Sequence, residues 1–153
     1  MSDRKSRGFS LLELLIVIAI ILVILAVALP GALNAKLNAS ETVVMREMQT
    51  LYQAQALYNS QFGRFASTLR ELGPPDAGDP GPQAAKIIPR SLASGEKDGY
   101  LFAMTTTPAG YSVNAKPKVF GQTGRRTFYI DEDGIVHENW GRDPATPASP
   151  EIQ

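Results

Sequence analysis

The stretch that decides the fold reads GFSLLELLIVIAIILVILAVAL, residues 8–29, and its only polar side chains are Ser10 and Glu13. A helix over residues 9–29 would be about 31 Å long, close to the roughly 30 Å thickness of the hydrocarbon core of a bilayer. We therefore predict that residues 9–30 form a transmembrane helix.

Glu13 is an unusual residue for such a segment. An ionisable side chain at the centre of a bilayer costs about 2.5–3.5 kcal/mol on insertion scales, and such residues usually contact a partner. Two interpretations of Glu13 stay open, because it lies near the start of the run. Either it meets a partner group inside the apolar environment, or it sits at the headgroup boundary and needs none.

A short polar leader, MSDRKSRG, precedes the run and carries Arg4, Lys5 and Arg7 against one acidic residue. The next basic residue is Lys36, beyond the apolar segment. Because cytoplasmic flanks are enriched in Lys and Arg, we expect the N-terminus to lie in the cytoplasm. The chain after Pro30 would then lie across the membrane.

Two other interpretations fit the same segment. A secretory signal peptide would be cleaved after a motif such as Ala26-Val27-Ala28, although its apolar region is usually only about 7–15 residues long. A plain signal anchor would explain the length of the run and leave Glu13 without a role. In both cases the protein would be a secreted or signal-anchored binding module.

The string KSRGFSLLEL, residues 5–14, followed by the aliphatic run and Pro30, resembles the processing signature of type IV pilins and type II secretion pseudopilins. That signature combines a basic leader ending in Gly, a following Phe, a Glu four residues later and a hydrophobic helix. The resemblance covers about residues 1–30, one fifth of the chain.

This resemblance implies a course of processing. A prepilin peptidase would remove the leader peptide, residues 1–8, by cutting after Gly8, and would N-methylate Phe9. The precursor would be a single-pass inner-membrane protein with a cytoplasmic N-terminus and a periplasmic head.

The resemblance also implies a course of assembly. An inner-membrane platform would build identical or related pilin subunits into a periplasmic or extracellular filament, with residues 9–30 in its core. In that filament Glu13 would pair with the Phe9 amine of a neighbour. Pro30 matches the position of a helix kink.

Beyond Pro30 the pattern stays helical but becomes one-sided over residues 31–63, and Gly63 is a stop signal. We expect the apolar stripe to pack against a sheet. The stripe comprises Leu33, Leu37, Val44, Met48, Leu51, Tyr58 and Phe62, and the polar side comprises Asn38, Glu41, Arg46, Gln49 and Gln53.

The rest of the chain predicts a head of mixed structure. Residues 64–99 are interpreted as a connecting loop with short helices, one of them starting at Thr68, which has capping-box spacing to Glu71. Residues 100–140 alternate in polarity, which predicts an antiparallel sheet of about four strands. Residues 141–153 are interpreted as a flexible tail.

The predicted fold class is therefore α+β. A long N-terminal helix, hydrophobic in its first part and kinked at Pro30, would pack against the C-terminal antiparallel sheet. This is the pilin-like layout that the resemblance implies.

The composition limits the partners of the protein. Its 153 residues include 15 basic and 15 acidic side chains, so nucleic acid is not expected as the main partner. One basic stretch without intervening acids is interpreted as a solvated loop. It contains Lys116, Lys118, Arg125 and Arg126.

We predict that the protein is not an enzyme. The chain has no Cys, and its single His, His137, has no nucleophile motif or glycine-rich phosphate loop near it. We interpret His137 as a solvent-facing strand residue and Trp140 as a cap of the core. No cofactor is expected, and calcium is only a weak candidate at Asp131 and Asp133 of the acidic turn.

These observations favour a structural subunit of a type IV filament, namely a type IV pilus. A pseudopilin of a type II protein secretion system is the alternative within the same class. A signal-anchored or secreted binding module is the more distant alternative.

Overall fold

The computed structural model describes residues 9–152. Its elements are α1 (Leu11–Phe62), α2 (Leu69–Leu72), α3 (Arg90–Ala93), β1 (Glu96–Lys97), β2 (Tyr100–Thr106), β3 (Tyr111–Pro117), β4 (Arg126–Asp131) and β5 (His137–Trp140). The chain divides into two compact units, Met1–Lys36 and Leu37–Gln153, and α1 contributes to both.

The strands form one antiparallel sheet in which each strand pairs with the next along the chain. The register places Phe102 opposite Ala115 and Val113 opposite Ile130. The sheet has five strands where the sequence predicted about four. The additional strand is β1, whose two residues are too few to show an alternating pattern.

The core of the second unit lies between the sheet and the part of α1 that begins at Val44. Burial of each large apolar side chain there contributes about 1.5–3 kcal/mol. The fully buried large residues include Met48, Leu51 and Tyr58 of α1 and Tyr100, Tyr111 and Phe128 of the sheet. The predicted α+β layout of a long helix packed on an antiparallel sheet is confirmed.

Two polar residues of α1, Glu41 and Gln55, are fully buried. The sequence wrongly placed Glu41 on the polar side of the helix and Leu33, which is exposed, in the stripe. Gln55 binds both backbone groups of Ala66, donating to its carbonyl at 3.0 Å and accepting its N–H at 2.8 Å. This side chain therefore holds the segment that follows the helix end at Phe62.

Glu41 is bound by residues at the start of β4. Its Oε1 accepts the backbone N–H of Arg125 at 2.7 Å, and its Oε2 accepts Nε–H of Arg126 at 2.8 Å. Nη1 of Arg126 also donates to Glu138 at 2.6 Å. Burial lowers the pKa of Arg126, but the bonds to Glu138 and Glu41 outweigh burial and the pKa is raised. The solvated-loop prediction is therefore wrong for Arg126.

The connection between α1 and α2 is organised by Glu71. Thr68 caps α2 by accepting the Glu71 N–H at 3.4 Å, so the short helix predicted from the capping-box spacing is confirmed. Glu71 Oε2 accepts hydrogen bonds from Arg64 at 2.8 Å and from Tyr58 Oη at 3.1 Å. It also accepts the backbone N–H of Ser67 at 3.1 Å. Burial raises the pKa of Glu71, but these three hydrogen bonds outweigh burial and lower it.

Two predictions about β5 are wrong. His137 was expected to face solvent but is buried, and its Nδ1 lies 2.7 Å from the carbonyl oxygen of Ser149. Trp140 was expected to cap the core but is 62% exposed. Its indole ring instead stacks on the guanidinium of Arg126, whose Cζ lies 5.0 Å from the ring centroid.

The described part of the predicted flexible tail makes backbone hydrogen bonds to the sheet region. The Glu138 N–H donates to the carbonyl of Pro150, and the Ile152 N–H donates to the carbonyl of Val136, both at 2.9 Å. These bonds place the C-terminal residues beside β5. The mobility of residues 141–153 stays a prediction.

Removing Glu41 should destabilise the second unit strongly. In a Glu41→Ala variant, Arg126 keeps only one of its two carboxylate partners in a buried site. We therefore expect the free energy of unfolding to fall by about 3 kcal/mol. Urea unfolding of the full-length chain in detergent, followed by circular dichroism, measures this loss.

The matched control for this prediction is Glu96→Ala. Glu96 pairs with Lys118 at 2.5 Å, but both side chains are about half exposed, so the pair should contribute less than about 1 kcal/mol. Equal losses in the two variants would contradict the structural role of Glu41.

The lowered pKa of Glu71 predicts how stability depends on pH. A carboxyl group whose pKa is lower in the folded than in the unfolded chain stabilises the fold above the unfolded pKa. That contribution is lost as the pH falls through the folded pKa. A Glu71→Gln variant should therefore lose less stability than the wild type on acidification below about pH 4.3, the ordinary value for Glu. If urea unfolding shows the same decrease in the free energy of unfolding with falling pH for both proteins, the prediction is refuted.

Candidate processing and assembly site

The described part of the first unit comprises Phe9, Ser10 and the first part of α1. Every residue from 9 to 36 is exposed, the aliphatic side chains included. By length and composition, α1 qualifies as a helix that can cross a membrane. Apolar patches of this extent mark surfaces that contact lipid or other proteins.

The start of α1 is closed by two hydrogen bonds between Ser10 and the first turn. Ser10 Oγ accepts the N–H of Leu12 at 3.3 Å, and Glu13 Oε2 accepts the N–H of Ser10 at 3.0 Å. Hydroxyl and carboxylate thus satisfy two backbone N–H groups in a reciprocal arrangement of the capping-box type. Glu13 Oε1 makes no hydrogen bond to any described residue.

The sequence interpretation missed this cap. The signal was present, because Ser10 and Glu13 have the same Ser/Thr-x-x-Glu spacing that predicted the cap at Thr68. In the single chain this carboxylate has a backbone partner, and its pairing with the Phe9 amine of a neighbour stays a prediction.

Phe9 precedes the helix and is 78% exposed. The cut after Gly8 would create a new amino group on Phe9, one residue before the cap. Gly8 and the other leader residues, 1–8, lie outside the described residues. Cleavage and N-methylation stay predictions on the structural evidence.

Pro30 lies inside α1, which is assigned as one helix through this position. Proline has no N–H, so the carbonyl of Ala26 lacks its usual partner one turn ahead. A Cβ on the adjacent Gly31 would meet nothing within 4 Å. The kink at Pro30 stays a prediction.

Comparison with protein families finds a match between residues 3–29 and the model of the prokaryotic N-terminal methylation motif. Residues 3–29 are a prepilin-type signal. The signal contains Gly8, Phe9 and Glu13, so the resemblance to the signal of type IV pilins and pseudopilins is confirmed. Comparison with curated proteins and with solved structures finds no match.

The prepilin signal carries a coarse functional conclusion. It is a signal for peptidase processing and filament assembly, and the proteins that bear it have structural rather than enzymatic roles. With the apolar first part of α1, it fits a protein anchored in the inner membrane.

The head contains no metal cluster among residues 9–152, where no three His, Asp or Glu side chains are placed to bind one ion. Of the calcium candidates, Asp131 uses Oδ2 to accept from Tyr129 Oη at 3.0 Å and Oδ1 to accept the N–H of Asp133 at 3.1 Å. Burial and the Asp131 carboxylate raise the pKa of Tyr129 to about 12. Asp131 thus shapes the β4–β5 turn, and calcium binding stays an untested candidate.

The β4–β5 turn contains a glycine, Gly134, whose backbone conformation and surroundings account for the residue type. Gly134 has a φ of +76°, and its N–H donates to the carbonyl of Asp131 at 3.1 Å. A Cβ at Gly134 would come within 2.7 Å of the Tyr52 ring. Glycine is therefore required at position 134 by its backbone conformation and by the close approach of the turn to Tyr52 of α1.

The four residues of the predicted basic stretch lie in different environments in the structure. Lys116 is exposed, and Lys118 pairs with the exposed Glu96. Arg125 Nη2 donates to Asn38 of α1 at 2.6 Å. These residues do not form one solvated loop, because Arg125 and Arg126 join the sheet to the helix.

Proposed function

We propose that the protein is a structural subunit of a type IV filament, a type IV pilus. It enters the inner membrane as a prepilin, is cleaved after Gly8, is N-methylated at Phe9 and polymerises through its hydrophobic helix. One observation supports this proposal above the others. The prepilin signal continues directly into a helix whose apolar side chains are exposed on all sides.

Membrane insertion follows from that exposed surface. Apolar side chains in water carry a free-energy cost of about 25 cal/mol per Å², which lipid removes. The basic leader retains the N-terminus in the cytoplasm, so the second unit, residues 37–153, is exported to the periplasm. Prepilin peptidase and the inner-membrane assembly platform act on this inserted form.

During assembly the apolar part of α1 leaves the lipid and packs against the helices of other subunits. Lipid chains are as apolar as Leu and Ile, so the hydrophobic effect changes little in this exchange. Close packing of the helices is attractive, but it does not fix their stagger, which is the axial offset between neighbouring helices. The reason is that the aliphatic side chains resemble one another along the helix. A polar pair is needed to fix the stagger, and Glu13 is the one acidic residue in residues 9–36.

The partner of Glu13 is the Phe9 amine of an adjacent subunit. Cleavage creates this cation at the end of the helix, and methylation leaves it positively charged. An ammonium and a carboxylate attract strongly in an environment of low dielectric constant. Glu13 Oε1 is available for the contact, since only Oε2 holds the cap among the described atoms.

A pseudopilin of a type II protein secretion system uses the same processing and assembly. The two roles differ in where the filament ends. Antibody labelling of whole cells distinguishes them, because a pilus extends beyond the outer surface whereas a pseudopilus remains in the periplasm. Loss of secretion without surface filaments in a deletion strain would favour the pseudopilin.

The mass of the mature chain tests the proposed processing. We expect a protein that begins at Phe9 and carries one added methyl group, measured by intact-mass spectrometry of material from membranes or filaments. A chain that begins at Leu29 would indicate a secretory signal peptide instead. An uncut chain would indicate a plain anchor.

Replacing Glu13 with an apolar residue tests the proposed assembly contact. A Glu13→Val variant should insert and be cleaved but should not enter filaments, because the carboxylate that fixes the stagger is absent. We expect filament yield to fall at least about tenfold, equivalent to about 1.4 kcal/mol per subunit contact. Quantified filament preparations measure the yield, and Leu14→Val is the matched control at the adjacent position. Normal assembly of Glu13→Val would refute the contact.

A further inference from the structure

We propose that Ser10 is a positioning residue for prepilin processing, acting through the cap that it forms at the start of α1. The inference rests on the proposed function, because it concerns the peptidase that cuts before Phe9. Ser10 itself takes no part in the bond cleavage. Its hydroxyl closes the start of the helix at Leu11 by accepting the N–H of Leu12 at 3.3 Å.

The position of the helix start matters to a peptidase. A peptide bond within a helix has its carbonyl hydrogen-bonded and its flanks enclosed by neighbouring turns, and cleavage of folded segments requires local opening. Phe9 supplies the nitrogen of the bond to be cut. Because α1 begins two residues later, that nitrogen lies outside the helix.

The cap is needed because the first N–H groups of a helix have no intrahelical acceptor. In water they bind solvent, but in lipid an unsatisfied N–H costs several kcal/mol. Without the Ser10 hydroxyl, the Leu12 N–H can be satisfied most easily by a carbonyl of a preceding residue. That bond forms when the helix extends toward the leader. Such an extension would include Phe9 and the bond before it.

Glu13 makes a separate bond at the same helix start. Its Oε2 accepts the N–H of Ser10, which binds the residue after Phe9 to the first turn. The hydroxyl bond to Leu12 does not depend on the charge of Glu13. The proposal therefore separates two roles, in which Ser10 prepares the chain for cleavage and the Glu13 carboxylate directs assembly.

The matched variants are Ser10→Thr and Ser10→Val. Their side chains have nearly the same shape, but only threonine keeps the hydroxyl acceptor. We expect the initial rate of leader removal to fall about fivefold in Ser10→Val, the effect of losing one N-cap. Ser10→Thr should be cleaved at a rate close to that of the wild type.

The experiment uses the full-length precursor in membranes that contain prepilin peptidase. Leader removal is followed over time by gel shift and intact mass, and alkaline extraction verifies equal insertion of the three proteins. Hydrogen exchange of the Leu12 amide, measured by NMR on the uncut chain in micelles, reports the cap itself. It should be faster in Ser10→Val than in Ser10→Thr.

The outcomes separate this inference from the proposed function. Cleavage of Ser10→Val at the wild-type rate would overturn the role of Ser10 and leave the proposed function intact. Ser10→Thr as slow as Ser10→Val would also overturn it, since shape rather than the hydroxyl would then matter. A wild-type precursor that is never cut would overturn both proposals.

Discussion

An apolar helical surface that the other described residues leave exposed is the constraint on which the rest of this protein depends. The side chains of residues 9–36 are exposed, whereas the core of the second unit takes its first residue from α1 at Val44. Such a surface must be covered by lipid or by other helices, because its exposure to water is energetically unfavourable. Insertion into the membrane and, after it, assembly into a filament would each provide that cover in the proposed function.

Two glutamates of α1 differ in how their carboxylates are bound. Both oxygens of the buried Glu41 are bound, one by the Arg125 N–H and the other by the Arg126 guanidinium. Glu13 has a single backbone bond at Oε2. Glu41 is therefore suited to a permanent junction between helix and sheet, while Glu13 retains the capacity to bind a second group.

The sequence predicted those parts of the molecule in which the polarity of each residue matches its burial in the fold. Alternating polarity located β2 to β5, and the prepilin signal was readable from its spacing. Glu41 was misplaced because a buried acid cannot be distinguished from a surface acid until its partner, 85 residues away, is known. His137 was misplaced for a similar reason, since the strand pattern does not reveal that Ser149 returns to cover it.

The cap at the start of α1 also bears on the proposed contact of Glu13 with a neighbouring subunit. A free glutamate side chain samples several rotamers, and fixing it on binding costs up to about 2 kcal/mol of conformational free energy. The bond from the Ser10 N–H already holds Oε2, so much of that ordering occurs within the single chain. The neighbouring amine would then meet a carboxylate that is oriented in advance. A cap that opens the cleavage site in the precursor would thus also favour the contact that fixes the stagger in the filament.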